Sequence, residues 1–364
     1  MKIRVRVAGR PTGYAVHVES GLLSRVGPLA LPHAPGGRAL LVTDRTVGRL
    51  YGARVERSLT RAGLRVSRAT LPAGERAKSF ATVRSLCERW AKEGAGRDAL
   101  VVALGGGVLS DAAGFAASVF GRGIPWIAVP TTLLAQADAA IGGKVGVNLS
   151  AGKNLLGAYH HPRAVLSDPD ALATLTPRAV RSGLAEVVKM GVICRPAILR
   201  QLWRLCDTPG GVTPEAAGPL VAACAAEKAW FVAQDERDQG MRLLLNFGHT
   251  VGHALEAAEG YGRYQHGEAV SIGMVAAARL SVIAAGLDPV SALEIEMLLQ
   301  RLKLPTRLRR PPTARFWNAL DRDKKRGRKG VRVVLCPAIG SAEVYELTSL
   351  TTLRQVVLSL IRRS

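Results

Sequence analysis

The sequence lacks paired cysteines and long hydrophobic runs, and it is poor in acidic residues. None of its five cysteines forms the CxxC pair typical of a zinc knuckle or a redox motif: Cys87, Cys194, Cys206, Cys224 and Cys336. No uninterrupted apolar run is long enough to span a bilayer. Residues 1–7 alternate charged and apolar side chains like an edge strand, unlike a secretory signal. We therefore expect reduced thiols, no membrane contact and a cytoplasmic location.

Acidic residues are strongly outnumbered. The 364 residues include 28 Asp and Glu against 50 Lys and Arg, a formal net charge of +22. Clustered cations bind nucleic acids by releasing phosphate counterions, but here arginine is spread along the chain and only residues 321–330 are densely charged. No recognised nucleic-acid motif accompanies them. We predict no nucleic-acid partner and expect the charge to attract an acidic, phosphorylated substrate.

The first half of the chain alternates strand-like and helix-like segments. Apolar runs at residues 38–43, 98–104 and 124–129 are each followed by a helical stretch. Runs of this kind indicate a parallel sheet that is covered on both faces. The length is sufficient for two domains, each with its own core.

The pattern changes after residue 175. Amphipathic helices continue to about residue 301, with breaks near residues 208–211 and 287–289. Only residues 331–335 and 342–345 look extended, which predicts a small ribbon. The predicted fold class is α/β plus α, with an α/β domain at residues 1–175 and a mostly helical domain at residues 176–364.

Two histidines suggest a metal site. His249 and His253 are four residues apart in the stretch 243–255, whose apolar residues predict a buried helix with both imidazoles on one face. Thr250 replaces the glutamate of the HExxH motif, so further ligands must come from elsewhere. His266 is the natural third imidazole, and a carboxylate would complete a set suited to zinc or cobalt. The alternative is a pair of hydrogen-bonded core histidines.

A glycine run suggests a nucleotide site. Gly105, Gly106 and Gly107 close a predicted strand and open a helix, so backbone N–H groups and the helix dipole are available to a pyrophosphate. Asp44 ends an earlier strand, and residues 72–78 form a loop after another. Carboxylates at such positions accept hydrogen bonds from ribose hydroxyls. A nicotinamide dinucleotide fits this pattern, and a simple tight turn is the alternative.

Several further blocks occur in order between about residues 44 and 340. They are Gly105-Gly106-Gly107 to Asp111, Arg122-Gly123, Val129-Pro130-Thr131-Thr132-Leu133-Leu134, Gly142-Gly143-Lys144, Gly152-Lys153-Asn154, Gly183-Leu184-Ala185-Glu186-Val187-Val188-Lys189 and Asn246-Phe247-Gly248-His249. In combination and at these intervals they resemble the 3-dehydroquinate synthase family.

The resemblance implies a Rossmann-like NAD-binding domain over residues 1–175 and a metal- and substrate-binding domain over residues 176–364, commonly in a homodimer. Members of the family convert 3-deoxy-D-arabino-heptulosonate 7-phosphate into 3-dehydroquinate and phosphate in the shikimate pathway. This carbon–oxygen lyase reaction combines transient oxidation at C5 by NAD with β-elimination of phosphate. Re-reduction, ring opening and an intramolecular aldol closure then complete it.

The resemblance also implies roles for individual residues. The metal ligands would be Glu186, His249 and His266. Substrate binding and catalysis would involve His253, Lys144, Lys189, Lys228, Arg242, Asn246, Asn154, Arg122 and Lys325. The cofactor would contact Asp44, Glu75, Lys78, Gly105, Gly106, Gly107, Asp111, Thr131, Thr132, Asp138, Lys144 and Lys153. His160 and His161 are left without a role.

Three alternatives remain open. Related sugar-phosphate cyclases, such as 2-deoxy-scyllo-inosose synthase, share the fold, NAD and metal but use other substrates. A glycerol-type polyol dehydrogenase would produce NADH, whereas a cyclase recycles its cofactor. A basic scaffold that binds nucleic acid would need neither NAD nor metal.

Overall fold

The computed structural model describes residues 1–7, 13–150, 152–208, 211–260, 263–322 and 330–362. The chain divides into two compact units. The first comprises Met1–Leu175 and Thr213–Arg237, and the second comprises Thr176–Val212 and Asp238–Ser364. The predicted division at residue 175 differs from this one in the segment Thr213–Arg237, which we placed in the helical domain. Sequence order alone does not reveal which of two cores a helix joins.

A seven-stranded sheet forms the centre of the first unit. The strands of this unit are β1 Lys2–Val5, β2 Tyr14–Val18, β3 Arg38–Asp44, β4 Arg65–Leu71, β5 Leu100–Gly105, β6 Trp126–Pro130, β7 Lys144–Leu149, β8 Gly152–Tyr159 and β9 Ala164–Ser167. The sheet has the order β1-β2-β9-β6-β5-β3-β4, and all neighbours are parallel except β1 and β2. The predicted parallel sheet and its edge strand are therefore confirmed. The antiparallel hairpin of β7 and β8 stands apart from this sheet and was not predicted.

The α-helices account for most of the remaining described residues. They are α1 Val26–Ala30, α2 Arg45–Val47, α3 Ala53–Arg61, α4 Phe80–Lys92, α5 Gly107–Val119, α6 Pro177–Ile193, α7 Pro196–Cys206, α8 Pro214–Gln234, α9 His249–Glu259, α10 His266–Ala284, α11 Pro289–Arg301, α12 Ala314–Arg322 and α13 Thr351–Ser359. Short 3₁₀ or π-helical segments include Glu75–Ala77, Phe120–Arg122, Ala135–Ala139 and Met241–Asn246.

The core of the first unit follows from the apolar runs. Every residue of β5 and β6 is buried, because helices cover both faces of a parallel sheet. The side chains of α3 and of the strands share one hydrophobic cluster. Helix α8 packs against β1 and the turn Ala135–Ala139, which explains why it belongs to this unit.

The second unit consists of α6, α7 and α9–α13, together with the ribbon of β10 Val331–Ala338 and β11 Ser341–Leu347. The predicted helical region and ribbon are thus confirmed. One detail differs. The apolar residues Leu243 and Leu244 lie in a separate 3₁₀ segment, because Gly248 adopts a left-handed conformation with φ of 79° and α9 begins only at His249.

Two helices, α8 and α10, are long and apolar enough to cross a membrane by length and composition. In their apolar windows, 56% of α8 and 72% of α10 is buried inside the protein. Core helices of soluble proteins meet the same criterion. We therefore attribute their hydrophobicity to packing within the two units.

Candidate functional site

Three side chains from three helices converge in the second unit. Glu186 lies in the middle of α6, while His249 and His266 are the first residues of α9 and α10. Their ligand atoms all lie within 4.8 Å of one another. Oε1 of Glu186 is 3.6 Å from Nε2 of His249 and 3.3 Å from Nε2 of His266. Two imidazoles and one carboxylate are a donor set that zinc and cobalt accept.

The other ring nitrogen of each histidine faces an acceptor. Nδ1 of His249 lies 3.1 Å from the carbonyl oxygen of Phe247. Nδ1 of His266 lies 3.4 Å from Oε2 of Glu256, a buried carboxylate on α9. If each Nδ1 donates its N–H to this acceptor, each Nε2 presents a lone pair toward Glu186. The arrangement therefore fits a metal ion held by Nε2 atoms and a carboxylate.

Ionic contacts and a cap fix the helices that carry these ligands. The Arg178 guanidinium of α6 binds both carboxylate oxygens of Glu268 on α10, at 2.7 Å each. The Glu268 side chain also accepts the backbone N–H of Gln265 in a capping box, which sets His266 as the first helical residue. The ion pair between Arg178 and Glu268 and the capping box together fix His266 relative to Glu186.

The electrostatics of the cluster favour a positive charge on His266. Burial lowers the pKa of His249 to about 3, although Glu186 opposes the shift. The pKa of His266 is raised to about 10, because hydrogen bonds to Glu186 and Glu256 outweigh the effect of burial. The Lys189 ammonium pairs with Oε2 of Glu186, and both side chains are only 1% exposed. A divalent cation would replace the His266 proton in this environment.

A pocket of about 190 Å³ opens beside the cluster, within the second unit. Asn246, His249, Thr250 and His253 line it on one side. The exposed His253 ring meets the His249 ring edge to face, with 5.1 Å between centroids. The two imidazoles therefore lie on one side of α9, as the four-residue spacing predicts.

Arg332 of β10 lines the same pocket and was missed by the sequence analysis. Within the described part of the chain, its guanidinium makes no hydrogen bond or ion pair. Its cross-strand neighbour is Glu346. The available signal was the lone cation in the apolar run of residues 331–335, which the charge-rich stretch before it obscured.

Arg242 occupies the 3₁₀ segment that precedes α9. Its side chain is almost completely buried, with the whole residue 2% exposed. A buried guanidinium carries a large desolvation cost unless it has partners, and Arg242 shares the segment Met241–Asn246 with Asn246. Its contact with a substrate anion stays a prediction.

In the first unit, the glycine run forms a narrow cradle at the start of α5. A Cβ atom on Gly105 would lie 2.8 Å from Leu109, and one on Gly106 would lie 3.1 Å from Thr132. The first turn of α5 leaves N–H groups without intrahelical acceptors. The hydroxyl of Thr131 is buried and has no hydrogen-bond partner among the described residues. The cradle thus offers donors at close range, as a pyrophosphate requires.

Other predicted cofactor residues pair with one another beside this cradle. The Lys78 ammonium binds the Asp111 carboxylate. Burial raises the pKa of Asp111, while Lys78 opposes this effect. Nδ2 of Asn148 donates to Oε1 of Glu75 at 2.7 Å, which links the hairpin to the loop before α4.

Asp44 and Asp138 already have protein partners. Oδ1 of Asp44 accepts two backbone N–H groups at the start of α2, at 2.8 and 2.9 Å, and so caps that helix. Asp138 forms an ion pair with Lys228 of α8. Their contact with a cofactor stays a prediction.

The remaining predicted residues of the first unit lie in turns and in the hairpin. Lys144 begins β7 and is exposed, and Lys153 and Asn154 follow the hairpin turn on β8. Asn154 and Arg122 have positive φ angles of 55° and 68°. The predicted phosphate residue Lys325 lies outside the described residues.

The sequence matches models of a single family over most of its length. The 3-dehydroquinate synthase N-terminal model matches residues 68–182, and the C-terminal model matches residues 183–326. The chain belongs to the 3-dehydroquinate synthase family. The 3-dehydroquinate synthase of Gloeobacter violaceus is 43% identical over 359 residues, which cover 98% of each protein.

Solved structures of related sugar-phosphate cyclases share the fold of this family member. A 2-deoxy-scyllo-inosose synthase complexed with carbaglucose-6-phosphate, NAD⁺ and Co²⁺ has a TM-score of 0.87 and 26% identity, covering 99% of this chain and 100% of the other. A 2-epi-5-epi-valiolone synthase from Streptomyces hygroscopicus with NAD⁺ and Zn²⁺ bound has a TM-score of 0.87 and 30% identity, covering 98% and 99%.

For this family member, the structure brings together the three predicted metal ligands, with Lys189, Asn246 and His253 nearby in the second unit. It brings together the glycine cradle, the threonines and the Lys78–Asp111 pair in the first unit. Glu256 and Arg332, which we did not name from the sequence, lie beside the predicted metal ligands in the second unit.

Proposed function

We propose that this protein is a lyase that converts 3-deoxy-D-arabino-heptulosonate 7-phosphate into 3-dehydroquinate and phosphate. The observation that carries the proposal is the buried cluster of Glu186, His249 and His266 beside a polar pocket, in a member of this family. A substrate with a carboxylate and a phosphate needs several fixed cations, and the chain carries lysine and arginine residues in the blocks that resemble the family.

The enzyme uses NAD and a divalent metal, and we propose zinc or cobalt. When bound, NAD accepts and returns a hydride at the C5 carbon of the substrate, and the metal acts as a Lewis acid toward the neighbouring oxygens. Glu186, His249 and His266 would hold the metal. The N–H groups of the Gly105-Gly106-Gly107 cradle, with Thr131, would hold the pyrophosphate of NAD.

The protein's own groups bind and orient the anionic substrate. In this proposal Lys144, Lys189, Lys228 and Arg242 hold the carboxylate and the ring hydroxyls. The phosphate side is held by Asn246, His253, Asn154, Lys325 and Arg122, and we propose that Arg122 reaches it from the other subunit of a homodimer. Fixed donors of this kind stabilise developing charge without reorganising during the reaction.

His253 handles a proton near the phosphate. Its ring is exposed to the pocket and is held against the His249 ring, so it can exchange protons with a substrate group while keeping a fixed orientation. The substrate's own phosphate can perform other proton transfers, so the main tasks of the chain are positioning and electrostatics. We also propose a cytoplasmic homodimer without nucleic-acid or membrane partners.

The first experiment is phosphate release from 3-deoxy-D-arabino-heptulosonate 7-phosphate, with and without NAD and before and after chelation. Dehydroquinate formation that requires both NAD and metal, without net production of NADH, is the expected result. Net NADH with glycerol as the substrate would instead indicate a polyol dehydrogenase. Binding of NAD and metal without turnover of this substrate would favour another sugar-phosphate cyclase.

Arg242 distinguishes the carboxylated substrate from neutral sugar phosphates. In the Arg242→Ala variant, kcat/KM for the heptulosonate should fall by about a hundredfold, because a buried hydrogen bond to a charged group is lost. A matched control is Arg204→Ala on α7, outside the pocket. Equal activity of the Arg242→Ala and wild-type proteins would refute the assignment.

A further inference from the structure

The turn before Lys144 has an unusual backbone. Gly142 and Gly143 both have positive φ angles, 106° and 67°. Glycine adopts positive φ angles without steric cost. Because glycine is so free in the unfolded chain, however, ordering two successive glycines costs much conformational entropy. Something in the surrounding structure must therefore select this one conformation.

The His161 ring packs directly on this turn. A Cβ atom on Gly143 would lie 2.8 Å from Nδ1 of His161, so the ring occupies the space that a side chain would fill. The ring is also tilted against the ring of Tyr14, with 5.7 Å between centroids. The Tyr14 hydroxyl accepts the N–H of Gly142 at 2.9 Å. Both glycines are thus held by one aromatic pair.

Glu236 holds the His161 ring from the other side. Nε2 of His161 lies 3.0 Å from Oε1 of Glu236, just after the end of α8, and the histidine side chain is only 3% exposed. This contact fixes the ring orientation, because rotation of the imidazole would break a partly buried hydrogen bond to a carboxylate.

His160 fixes the same turn to the main sheet. Its backbone N–H donates to the Gly143 carbonyl at 2.8 Å. Its own carbonyl accepts the indole N–H of Trp126 on β6 at 3.0 Å, and Nε2 of its ring lies 2.9 Å from the Ile124 carbonyl oxygen. The two histidines therefore connect the turn before Lys144 to β6 and to the end of α8, all within the first unit.

We propose that His161, oriented by Glu236, is a positioning residue for Lys144. It holds the Gly142–Gly143 turn in its left-handed conformation, and the exposed Lys144 ammonium is thereby presented in one place. This inference rests on the proposed function, in which Lys144 contacts the substrate. A displacement of about 1 Å in such a group costs up to about a hundredfold in rate.

The test combines substitutions at His161 and Lys144. In His161→Leu, kcat/KM should fall about 10- to 100-fold, whereas His161→Gln retains an N–H donor of similar reach and should stay within about threefold of wild type. In a Lys144→Met background, His161→Leu should cause no further loss, because its effect passes through Lys144. An equal loss in both backgrounds would overturn the proposal, as would an unchanged kcat/KM in His161→Leu.

A second measurement does not depend on turnover. Amide hydrogen exchange in a peptide covering residues 141–147 should accelerate in His161→Leu, and to a smaller degree in Glu236→Gln and Tyr14→Phe. His33→Leu, a half-buried histidine elsewhere in the same unit, serves as the control and should leave this peptide unchanged. Unchanged exchange in all three variants would overturn the proposal. If the wild type fails to convert the heptulosonate but exchange accelerates, the proposed function fails while the positioning of the turn stands.

Discussion

Glu256 contacts a proposed metal ligand without being one of the three itself. Its carboxylate lies 3.4 Å from Nδ1 of His266 and is buried on α9. A carboxylate behind a ligating histidine fixes the ring and increases its basicity. The proposed ligands were predictable from sequence by resemblance, but Glu256 was not, since only the fold places it behind His266.

Replacing Glu256 with Gln should weaken metal binding by about 10- to 100-fold, because the amide holds the His266 ring without its negative charge. Competition with a chromophoric chelator measures the dissociation constant. The control is Glu259→Gln at the end of α9, which removes an ion pair with Arg263 beyond the helix and should leave the dissociation constant unchanged. An unaltered affinity in Glu256→Gln would show that His266 is oriented by other contacts.

Metal binding should depend on pH through His266. Its pKa of about 10 means that it is protonated in the metal-free protein at neutral pH, while His249, with a pKa of about 3, is neutral. The metal must displace one proton, so affinity should rise by up to about tenfold for each unit increase in pH, from about pH 5 to about pH 9. Chelator competition at several pH values tests this, and a flat profile would contradict it.

Arg332 should contribute to binding of the anionic substrate. Removing a charge-assisted hydrogen bond costs about 1.5–3 kcal/mol, so Arg332→Met should raise KM by about 10- to 100-fold and weaken inhibition by inorganic phosphate. Arg332→Lys should recover part of the loss, because it keeps the charge but not the planar fork. Arg354→Met, which removes a guanidinium stacked on Trp317, is the control. Unchanged phosphate inhibition in Arg332→Met would contradict this role.

At the scale of elements, the close packing of α10 against its neighbours keeps the proposed ligands together. A Cβ atom on Gly273 would lie 1.9 Å from the Gly248 carbonyl oxygen, at the start of α9. The backbones of α9 and α10 therefore approach more closely than any residue other than glycine would permit at position 273. His249 and His266 begin these two helices, so their separation depends on this contact.

A Gly273→Ala substitution should destabilise the protein by about 1–3 kcal/mol or more, because the backbone cannot yield without separating the helices. It should also weaken metal binding. Gly218→Ala on α8, where a Cβ would make only an ordinary contact at 3.5 Å with Pro169, should cost less, because it meets only the preference against helical residues before Pro219. Thermal unfolding measures both effects, and equal stabilities of the two variants would refute the steric argument.

The sequence predicted where strands and helices occur better than it predicted which other elements they pack against. Continuous apolar runs identified β3, β5 and β6, because buried parallel strands need no polar face. The hairpin of β7 and β8 was missed, since its glycine-rich, half-exposed residues lack that pattern. Helix α8 was predicted as a helix, but our division groups it with the helical domain, whereas the structure groups it with the first unit. The sequence of an apolar helix does not indicate which core it joins.

At the scale of the whole molecule, we expect the net charge of +22 to raise the rate of substrate capture. A positive field accelerates the approach of a polyanion, and salt screens this attraction over about 10 Å at 0.1 M. We expect kcat/KM for the heptulosonate to fall as ionic strength rises, while kcat changes little. Steady-state kinetics across a series of salt concentrations tests this, and a parallel fall in both constants would point to loss of stability instead.

The return of Thr213–Arg237 to the first unit means that the chain passes from one unit to the other three times. Neither unit is a continuous stretch of polypeptide. A fragment cut after Leu175 would lack α8 and would expose the apolar surface that this helix covers. Neither half can therefore be exchanged, inherited or synthesised as an independent module, and the first unit cannot be completed until Thr176–Val212 of the second has been made.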